Sequence, residues 1–454
     1  MNTNPKYTGW VEHLGWGALP QVLFLRLRLA VKDWRFRTAD SSVQKILKIL
    51  GITAEPVLIK EKDTPMQPVV EKIKALSAGS FRPHLARILK ITGANIKEDE
   101  KFELYFTQEL AADLKPKAML LAALPPAESG PAADNIVLVS ATPWIRELRQ
   151  IYPVWKIVTY WDCGSFNIIV LSILRPILEW VMNASLILVG KRRKAPGSDL
   201  PTVAILHTHG TDPKRKSDAF WFPGSGINPK QILLFLLHHN RGPGKDTLAQ
   251  IKEQGIGCAD ILPWRLSLRP WVPFSFELYR FPTRLYCWNL AELIKTNFKI
   301  LGGVLKSGKL FWFWAKWTRL ADDLCLFEAF FQQYHVKAHF SAFEAGRHMA
   351  AANLAVGRAK GIDICHHWSN YDWTDVHLGK PHDAYLTWGP YFKKNFFNEP
   401  YYLTPTFVYT GYPYGHLYDF YRPAGRHYRQ ELRDKGARFI NKILLRNRLF
   451  KVEY

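Results

Sequence analysis

Several short apolar runs in this chain end in residues that can transfer protons or bind polar ligands. His207 and His209 follow the run Val203–Leu206, and His238 follows the run Gln231–Leu237. Such runs are typical of buried strands. The strands of an open α/β sheet place the residues at their carboxyl ends in a ligand-binding crevice. The sequence therefore predicts a site along one edge of a sheet.

Two further residues have the chemistry of a general base. His367 ends the apolar run Gly361–His367, and an imidazole, which titrates close to neutral pH, can accept the proton of a hydroxyl group. Asp218 precedes an aromatic stretch, and a carboxylate beside aromatic side chains can have a raised pKa. We take both residues as candidates.

Glu344 leaves two interpretations open. It lies four residues before His348 in an alanine-rich segment, which predicts a helix with both side chains on one face. The helix dipole stabilises an acid in the first turn, which explains Glu344 without any function. Its position after a strand predicts instead that it lines the crevice. The choice between a structural and a ligand-binding role also remains open for His238.

Other familiar sites do not occur in the sequence. His207 and His209 have the spacing of two metal ligands on one strand face, but no third ligand follows at a recognisable spacing, so we predict no metal site. The string Lys306–Lys309 lacks the Walker spacing, and there is no GxSxG elbow, which argues against a P-loop ATPase and an α/β-hydrolase. No nucleic-acid-binding motif accompanies the basic clusters Lys191–Lys194 and Lys214–Lys216.

The order of the elements predicts a Rossmann-like α/β fold. Strand Val336–Ser341, helix Glu344–Lys360 and strand Gly361–His367 form a unit that requires parallel strands and a right-handed crossover. Further strands are predicted at 135–140, 203–206, 231–237, 258–262, 384–388 and 406–411. Helices are predicted at 41–50, 67–77, 102–114 and 424–435, and within the Trp- and Phe-rich segment 290–334. The expected fold class is a doubly wound parallel sheet.

The composition along the chain suggests three regions. Residues 1–130 are mixed and mainly helical, and Pro125–Asp134, rich in proline and alanine, is the best linker candidate. Residues 131–415 contain the Rossmann-like strands. Residues 416–454 are expected to be the start of a truncated second domain or a basic tail.

The overall composition narrows the class of protein. The net charge of +22 indicates either an anionic partner or a solvated basic surface. With 48% hydrophobic and 22% charged residues the chain is globular and not disordered. Its five cysteines are scattered without a CxxC pair, which favours reduced thiols in the cytoplasm. The N-terminus has no signal-peptide pattern.

Residues 166–190 form an apolar stretch long enough to span a bilayer. Arg175 and Glu179 would each cost about 2.5–3.5 kcal/mol at the centre of a membrane, but their spacing allows them to pair on one helix face. The cluster Lys191–Lys194 follows directly and favours an anionic leaflet. A core helix, an interfacial helix and a membrane span all remain open.

Four blocks of sequence occur in the order Asp218–Phe235, Ala338–Ser369, Tyr385–Gly389 and Val408–Pro413. In this order they resemble bacterial surface-polysaccharide biosynthesis proteins of the type that carries a Pro-Phe-Thr-Ser motif. The resemblance covers roughly residues 135–440. It implies a relative of the GT-B glycosyltransferases, which are built from two facing Rossmann-like domains.

The chain also departs from this family. The nearest string to the motif is Pro273–Phe276, which lies ahead of the expected place. In the family, Gly411–Pro413 leads into the second, donor-binding domain, whereas this chain ends at Tyr454. We therefore expect the acceptor-side half to be present and the donor-side half to be missing.

The resemblance implies transfer of a sugar from a nucleotide donor to a glycan or a lipid-linked acceptor, by a cytoplasmic protein peripheral to the inner membrane. His367 or Asp218 would deprotonate the acceptor hydroxyl, and Glu344 is a third catalytic candidate. The remaining candidates would bind substrate, the tryptophans by stacking on sugar faces; they are His207, His209, Trp221, Ser225, His238, Trp368, Ser369 and Trp388. No cofactor is expected besides the donor itself.

Two alternatives to this enzyme stay open. A non-catalytic acceptor-binding or scaffold protein of the same pathway would explain a missing donor half. A nucleic-acid-binding protein is suggested by the charge alone. The sequence predicts neither the donor sugar nor the oligomeric state.

Overall fold

A computed structural model describes most of the regular structure of the chain. The described residues are 7–29, 31, 33–57, 82–92, 96–122, 124, 135–160, 173–185, 202–206, 226–236, 249, 251, 253, 255–260, 282–305, 307–341, 347–366, 382–391, 406–410 and 415–434. Their strands form two sheets, both entirely parallel.

The first sheet has five strands in the order β3-β2-β1-β4-β5. The strands are β1 (Thr8–Leu14), β2 (Asp33–Ala39), β3 (Thr53–Pro56), β4 (Asn135–Ser140) and β5 (Lys156–Tyr160). Strand β4, which pairs with the central strand β1, is buried through all four of its apolar residues, as expected for a strand covered on both faces. Gly9 in β1 lies so close to Trp34 that a Cβ atom there would come within 2.3 Å of the indole ring.

The second sheet has seven strands in the order β12-β11-β10-β9-β6-β7-β8. The strands are β6 (Thr202–Leu206), β7 (Ile232–Leu236), β8 (Gly257–Asp260), β9 (Val336–Ser341), β10 (Ile362–His366), β11 (Ala384–Thr387) and β12 (Thr406–Tyr409). In both sheets the strand order reverses beside the first strand, between β1 and β4 and between β6 and β9. This reversal is the switch point of a doubly wound sheet.

Helices cover and connect the sheets. They are α1 (Leu19–Leu29), α2 (Ser41–Ile49), α3 (Arg82–Thr92), α4 (Ile96–Ala122), α5 (Ile145–Ile151), α6 (173–185), α7 (Thr283–Val304), α8 (Gly308–Gln333), α9 (Arg347–Arg358) and α10 (Gly415–Asp434). Helix α8 lies at the centre of a helical layer, because it packs against α3, α4, α7 and α9. Its residues are buried almost all round, including Trp312, Trp314 and Trp317. The tryptophans of this segment therefore belong to the core.

Helix α4 connects the two sheets. Its first half, with Phe102 and Phe106, belongs to the same core as Leu206 and Phe235 of the seven-stranded sheet. Its last turns, with Leu120, pack against the five-stranded sheet. At roughly 1.5 Å per residue the helix is long enough to reach both.

The predicted fold class is confirmed: the protein is α/β, with a Rossmann-like parallel sheet. The predicted strands at 135–140 and 336–341 have the observed bounds, and those near 203, 232, 258, 362, 384 and 406 are within a few residues of them. The predicted helices at 41–50, 102–114 and 424–435 fall within or nearly within α2, α4 and α10. The predicted helix 67–77 and the linker 125–134 lie outside the described residues.

The five-stranded sheet was not predicted as a separate Rossmann-like sheet. Strands β1, β2 and β3 come from the region expected to be mainly helical, and β1 pairs with β4 across the proposed boundary at residue 130. The pattern misses them because β1 interrupts its apolar residues with Glu12 and His13, and β2 alternates Trp34 and Phe36 with arginines. Both arrangements differ from the continuous apolar runs of the predicted strands.

Helix α6 resolves part of the question about residues 166–190. Arg175 and Glu179 pair as predicted, with 2.9 Å between Nε and Oε1. Among the described residues, no helix has both the length and the apolar character needed to cross a membrane.

Candidate functional site

The carboxyl ends of five neighbouring strands form one edge of the seven-stranded sheet, which we call the crevice edge. In sheet order these strands are β11, β10, β9, β6 and β7, and they end at Thr387, His366, Ser341, Leu206 and Leu236. Because the strands are parallel, the segments that follow them all leave the sheet from this edge. The switch point between β9 and β6 lies at its centre, where open α/β sheets bind ligands.

The predicted site residues all follow these strands in the sequence. Trp388, the one described candidate, comes directly after β11 and is half-buried. The other ten lie outside the described residues; they are His207, His209, Asp218, Trp221, Ser225, His238, Glu344, His367, Trp368 and Ser369. The structure therefore fixes the strand ends from which the predicted site residues follow, and their side-chain roles remain predictions.

The described side chains at the crevice edge are buried. His366 is 1% exposed and stacks on Phe340, with 6.4 Å between the ring centroids. Ser341 and Thr387 are also buried, and the Thr387 carbonyl accepts a hydrogen bond of 2.9 Å from the Thr410 amide. The crevice edge is therefore packed at these three strand ends, and the Thr410–Thr387 hydrogen bond attaches the end of β12 to β11.

Two basic residues begin the helix that follows β9. Arg347 and His348 are the first residues of α9 and contact Asp323 of α8, and the His348 Nδ1 atom lies 3.2 Å from the carboxylate. Burial alone would raise the pKa of Asp323, but the hydrogen bond from His348 and the charge of Arg347 lower it, so the carboxylate is ionised. Both side chains keep about a quarter of their surface exposed. A helix N-terminus with such residues attracts anionic groups.

A second group of charges lies deeper in the helical layer, and we call it the helix cluster. It consists of Arg175 and Glu179 of α6, Tyr286 of α7 and Asp322 of α8. The Tyr286 hydroxyl donates to Glu179 at 2.9 Å, and the Arg175 guanidinium lies 3.4 Å from Asp322. Burial, the Glu179 carboxylate and a hydrogen bond with it raise the pKa of Asp322 well above its usual range, against the effect of Arg175. These surroundings therefore favour the protonated form of Asp322.

A third group, the strand cluster, joins β9, β10 and β11. Asp363 accepts from His339 and from His382, each at 2.6 Å, and from Asn353 of α9 at 2.9 Å. Burial opposes the charge on Asp363, but His382 and His339 lower its pKa far below the usual range. Burial likewise opposes the charge on His382, whereas Cys365 and Asp363 raise its pKa well above the usual value.

The strand cluster lies away from the crevice edge. Asp363 is the second residue of β10, and His382 precedes β11, so both are at the amino ends of their strands. Asp363, His339 and His382 are at most 1% exposed. We assign the cluster a structural role, because it fixes the register of His339 and Asp363 on neighbouring strands. Within the described residues no group of His, Cys, Asp or Glu side chains has the arrangement of a metal site.

The carboxyl edge of the five-stranded sheet holds polar residues that the sequence analysis missed. Glu12 of β1 accepts from the amide and the hydroxyl of Ser140 in β4, each at 3.0 Å, and from Lys117 of α4 at 3.1 Å. These contacts cross the switch point of this sheet and attach α4 to it. His13 lies beside them and is 2.9 Å from the Thr38 hydroxyl.

A signal for this edge was present in the sequence. Gly15 and Gly17 separate β1 from α1, and a Cβ atom on Gly15 would come within 2.7 Å of the His13 ring. The turn after the first strand is therefore tight, as in Rossmann sheets. A Gly-x-Gly pair between a strand and a helix predicts such a turn even where the longer fingerprint is incomplete.

The chain was compared with family models, curated proteins and solved structures, and none of them matches it.

Proposed function

We propose that this protein is a glycosyltransferase-like protein of surface-polysaccharide biosynthesis that transfers a sugar from a nucleotide donor to a glycan or lipid-linked acceptor. The crevice edge carries the proposal. Five neighbouring strands end there on both sides of a switch point. All eleven site candidates follow these strands, Trp388 after β11 and the other ten after β6, β7, β9 and β10. This is the place where open α/β sheets bind ligands.

Charge at the switch point supports an anionic donor. The first turn of α9, which follows β9, presents the Arg347 guanidinium and the His348 imidazole, and both contact Asp323. A nucleoside diphosphate sugar carries its negative charge on the diphosphate, which helix N-termini and arginine bind well. We propose that this turn holds the donor diphosphate.

The proposed chemistry requires a base for the acceptor hydroxyl. His367 follows β10 directly and Asp218 lies between β6 and β7, so both belong to segments that leave the crevice edge. Either could accept the proton as the hydroxyl attacks the anomeric carbon.

Two Rossmann-like sheets in one chain favour the enzyme over the binding protein. The binding-protein alternative came from the expectation that one Rossmann-like half is missing. GT-B enzymes use two such halves, and the described residues contain two parallel sheets with the same reversal of strand order. Fold alone does not establish an activity, so a direct assay is needed.

An assay with a panel of nucleotide sugars and lipid-linked acceptors tests the proposal. We expect product with the wild-type chain and a loss of about 10²–10⁴-fold in rate when the true base is removed by His367→Ala or Asp218→Asn. His427→Ala on the exposed face of α10 is the matched control and should retain full activity. An activity that survives the loss of both His367 and Asp218 would show that these roles are wrong.

Calorimetry separates the enzyme from the binding protein. Binding of a nucleotide sugar that is weakened by Arg347→Gln supports the donor site at α9. Binding of glycan without any binding of nucleotide sugar supports the acceptor-binding alternative instead.

A further inference from the structure

Helix α6 has its polarity reversed relative to an ordinary surface helix. Its two ionisable residues, Arg175 and Glu179, face the interior, where they pair with each other and with Asp322 and Tyr286. Its outward residues Leu174, Leu178 and Val181 are instead about half exposed. The apolar side of this helix is therefore exposed, while Glu179 is buried and Arg175 keeps only a third of its side chain exposed.

Helix α2 shows the ordinary arrangement in the same molecule. Its buried residues are Val43 and Leu47, and Lys45 and Lys48 face solvent. An apolar face turned to solvent has a free-energy cost that grows with its area, so it marks a surface that another medium covers.

The apolar surface continues from α6 onto α7. A shallow apolar groove runs between the two helices over Trp314 of α8. Ile173 and Ile177 line it from α6, and Phe298, which is 59% exposed, lines it from α7. We call the outward residues of α6 together with this groove the α6–α7 face.

Cations accompany the apolar residues on α7. Arg284, Lys295 and Lys299 are all exposed on this helix, and so is Trp288 at 69%. Lys295 is partly neutralised by Glu292, 3.4 Å away. A surface that combines leucine and aromatic side chains with lysine and arginine is typical of elements that lie in the interface of an anionic membrane.

We propose that the α6–α7 face docks onto an anionic phospholipid surface, with Leu174, Leu178, Val181 and Phe298 inserted at the level of the acyl-chain boundary. This inference extends the proposed function by naming the surface that would bring the crevice edge to a lipid-linked acceptor. A second copy of the chain fits the face less well, because each copy carries a net charge of +22 and the same exposed cations.

Vesicle flotation tests this inference without any sugar donor, so its outcome is independent of the transferase assay. Wild-type protein is floated with vesicles of phosphatidylcholine alone and with vesicles that also contain phosphatidylglycerol. We expect binding to the anionic vesicles that weakens with added salt. The triple variant Leu174→Gln, Leu178→Gln, Val181→Asn should bind at least about tenfold more weakly.

The matched control is Leu27→Gln, since Leu27 is 87% exposed and belongs to α1, a helix that packs against the five-stranded sheet. It should float like the wild type. Lys295→Ala with Lys299→Ala should reduce the preference for anionic vesicles while leaving weak binding. Unfolding curves show whether each variant is folded.

Two results would overturn the proposal. One is flotation of a folded triple variant that equals the wild type. The other is a wild-type dimer in solution that ignores vesicles and that the triple variant dissociates, which would assign the face to a second copy of the chain.

Discussion

The strand cluster and the helix cluster each contain a buried aspartate, and they shift its pKa in opposite directions. Asp363 has two imidazoles within 2.6 Å, and its pKa falls. Asp322 has a second carboxylate, Glu179, beside it, with Arg175 at 3.4 Å, and its pKa rises. Both side chains are at most 5% exposed, so burial does not distinguish them. The neighbouring groups decide whether a buried acid is charged.

This difference has consequences for stability. A charged acid held by two histidines and an amide is costly to remove, because the partners then lose their counter-charge in the interior. A protonated acid behaves as a neutral hydrogen-bonding group, and an amide can replace it. The clusters should therefore respond differently to substitution of aspartate by asparagine.

Asp363→Asn should have the largest effect. It removes the carboxylate that accepts hydrogen bonds from His339 and His382, and we expect a loss of about 3–5 kcal/mol in the free energy of unfolding. Urea unfolding of the full chain measures it. The control is Asp40→Asn, which breaks the exposed contact with His13 and should cost less than about 1 kcal/mol. Equal losses in the two variants would contradict the proposed importance of the buried ion pair.

Arg175→Met should have an intermediate effect. It leaves Glu179 without its cation, and we expect a loss of about 2 kcal/mol, less than for Asp363 because Arg175 keeps a third of its side chain exposed. Adding Glu179→Gln should restore part of the loss, since the buried charge is then gone. The four-variant cycle in urea measures the coupling, and additive losses would mean that the pair contributes nothing.

Asp322→Asn should change the free energy of unfolding least at low pH. Its dependence on pH should be opposite to that of Asp363→Asn. The folded-state pKa of Asp322 lies above its ordinary value of 3.8, so the folded protein holds a proton that the unfolded chain releases as the pH rises. The wild type therefore loses stability above pH 3.8, and asparagine, which needs no proton, does not. We expect the variant to gain about 1 kcal/mol relative to the wild type between pH 5 and pH 7.

A pH series of unfolding curves completes the comparison. The folded-state pKa of Asp363 lies below its ordinary value, so its contribution is present above pH 3.8 and is lost as the pH falls. The difference between wild type and Asp363→Asn should thus shrink in acid, whereas Asp322→Asn should improve with rising pH. Parallel curves for the two variants would remove the distinction between the clusters.

Parts of these clusters could be predicted from the sequence. The spacing of Arg175 and Glu179 gave their pairing, because helix geometry brings residues four apart together. The contact of Asp322 with Glu179 could not be predicted, since it joins helices far apart in the chain. Asp363 was part of a predicted strand. Its imidazole partners could not be predicted, because His339 belongs to β9 and His382 lies just before β11.

The same division holds for the candidate site. The apolar runs predicted the strands of the seven-stranded sheet, and the residues that follow them predicted a crevice. The polar residues of the other sheet, Glu12 and Ser140, were missed because β1 carries charged residues within the strand. Its apolar pattern is weak, and only the pairing with β4 shows that it is central.

By itself the sequence determined the fold class, the strands that make up the seven-stranded sheet and the candidate residues that follow them in the chain, since these depend on local patterns of apolar and turn residues. Only the tertiary structure decided that a second parallel sheet exists, that the charges of α6 face inward, and which buried acid is ionised. Each of these depends on contacts between distant segments, and the local sequence does not encode which segment will supply the partner.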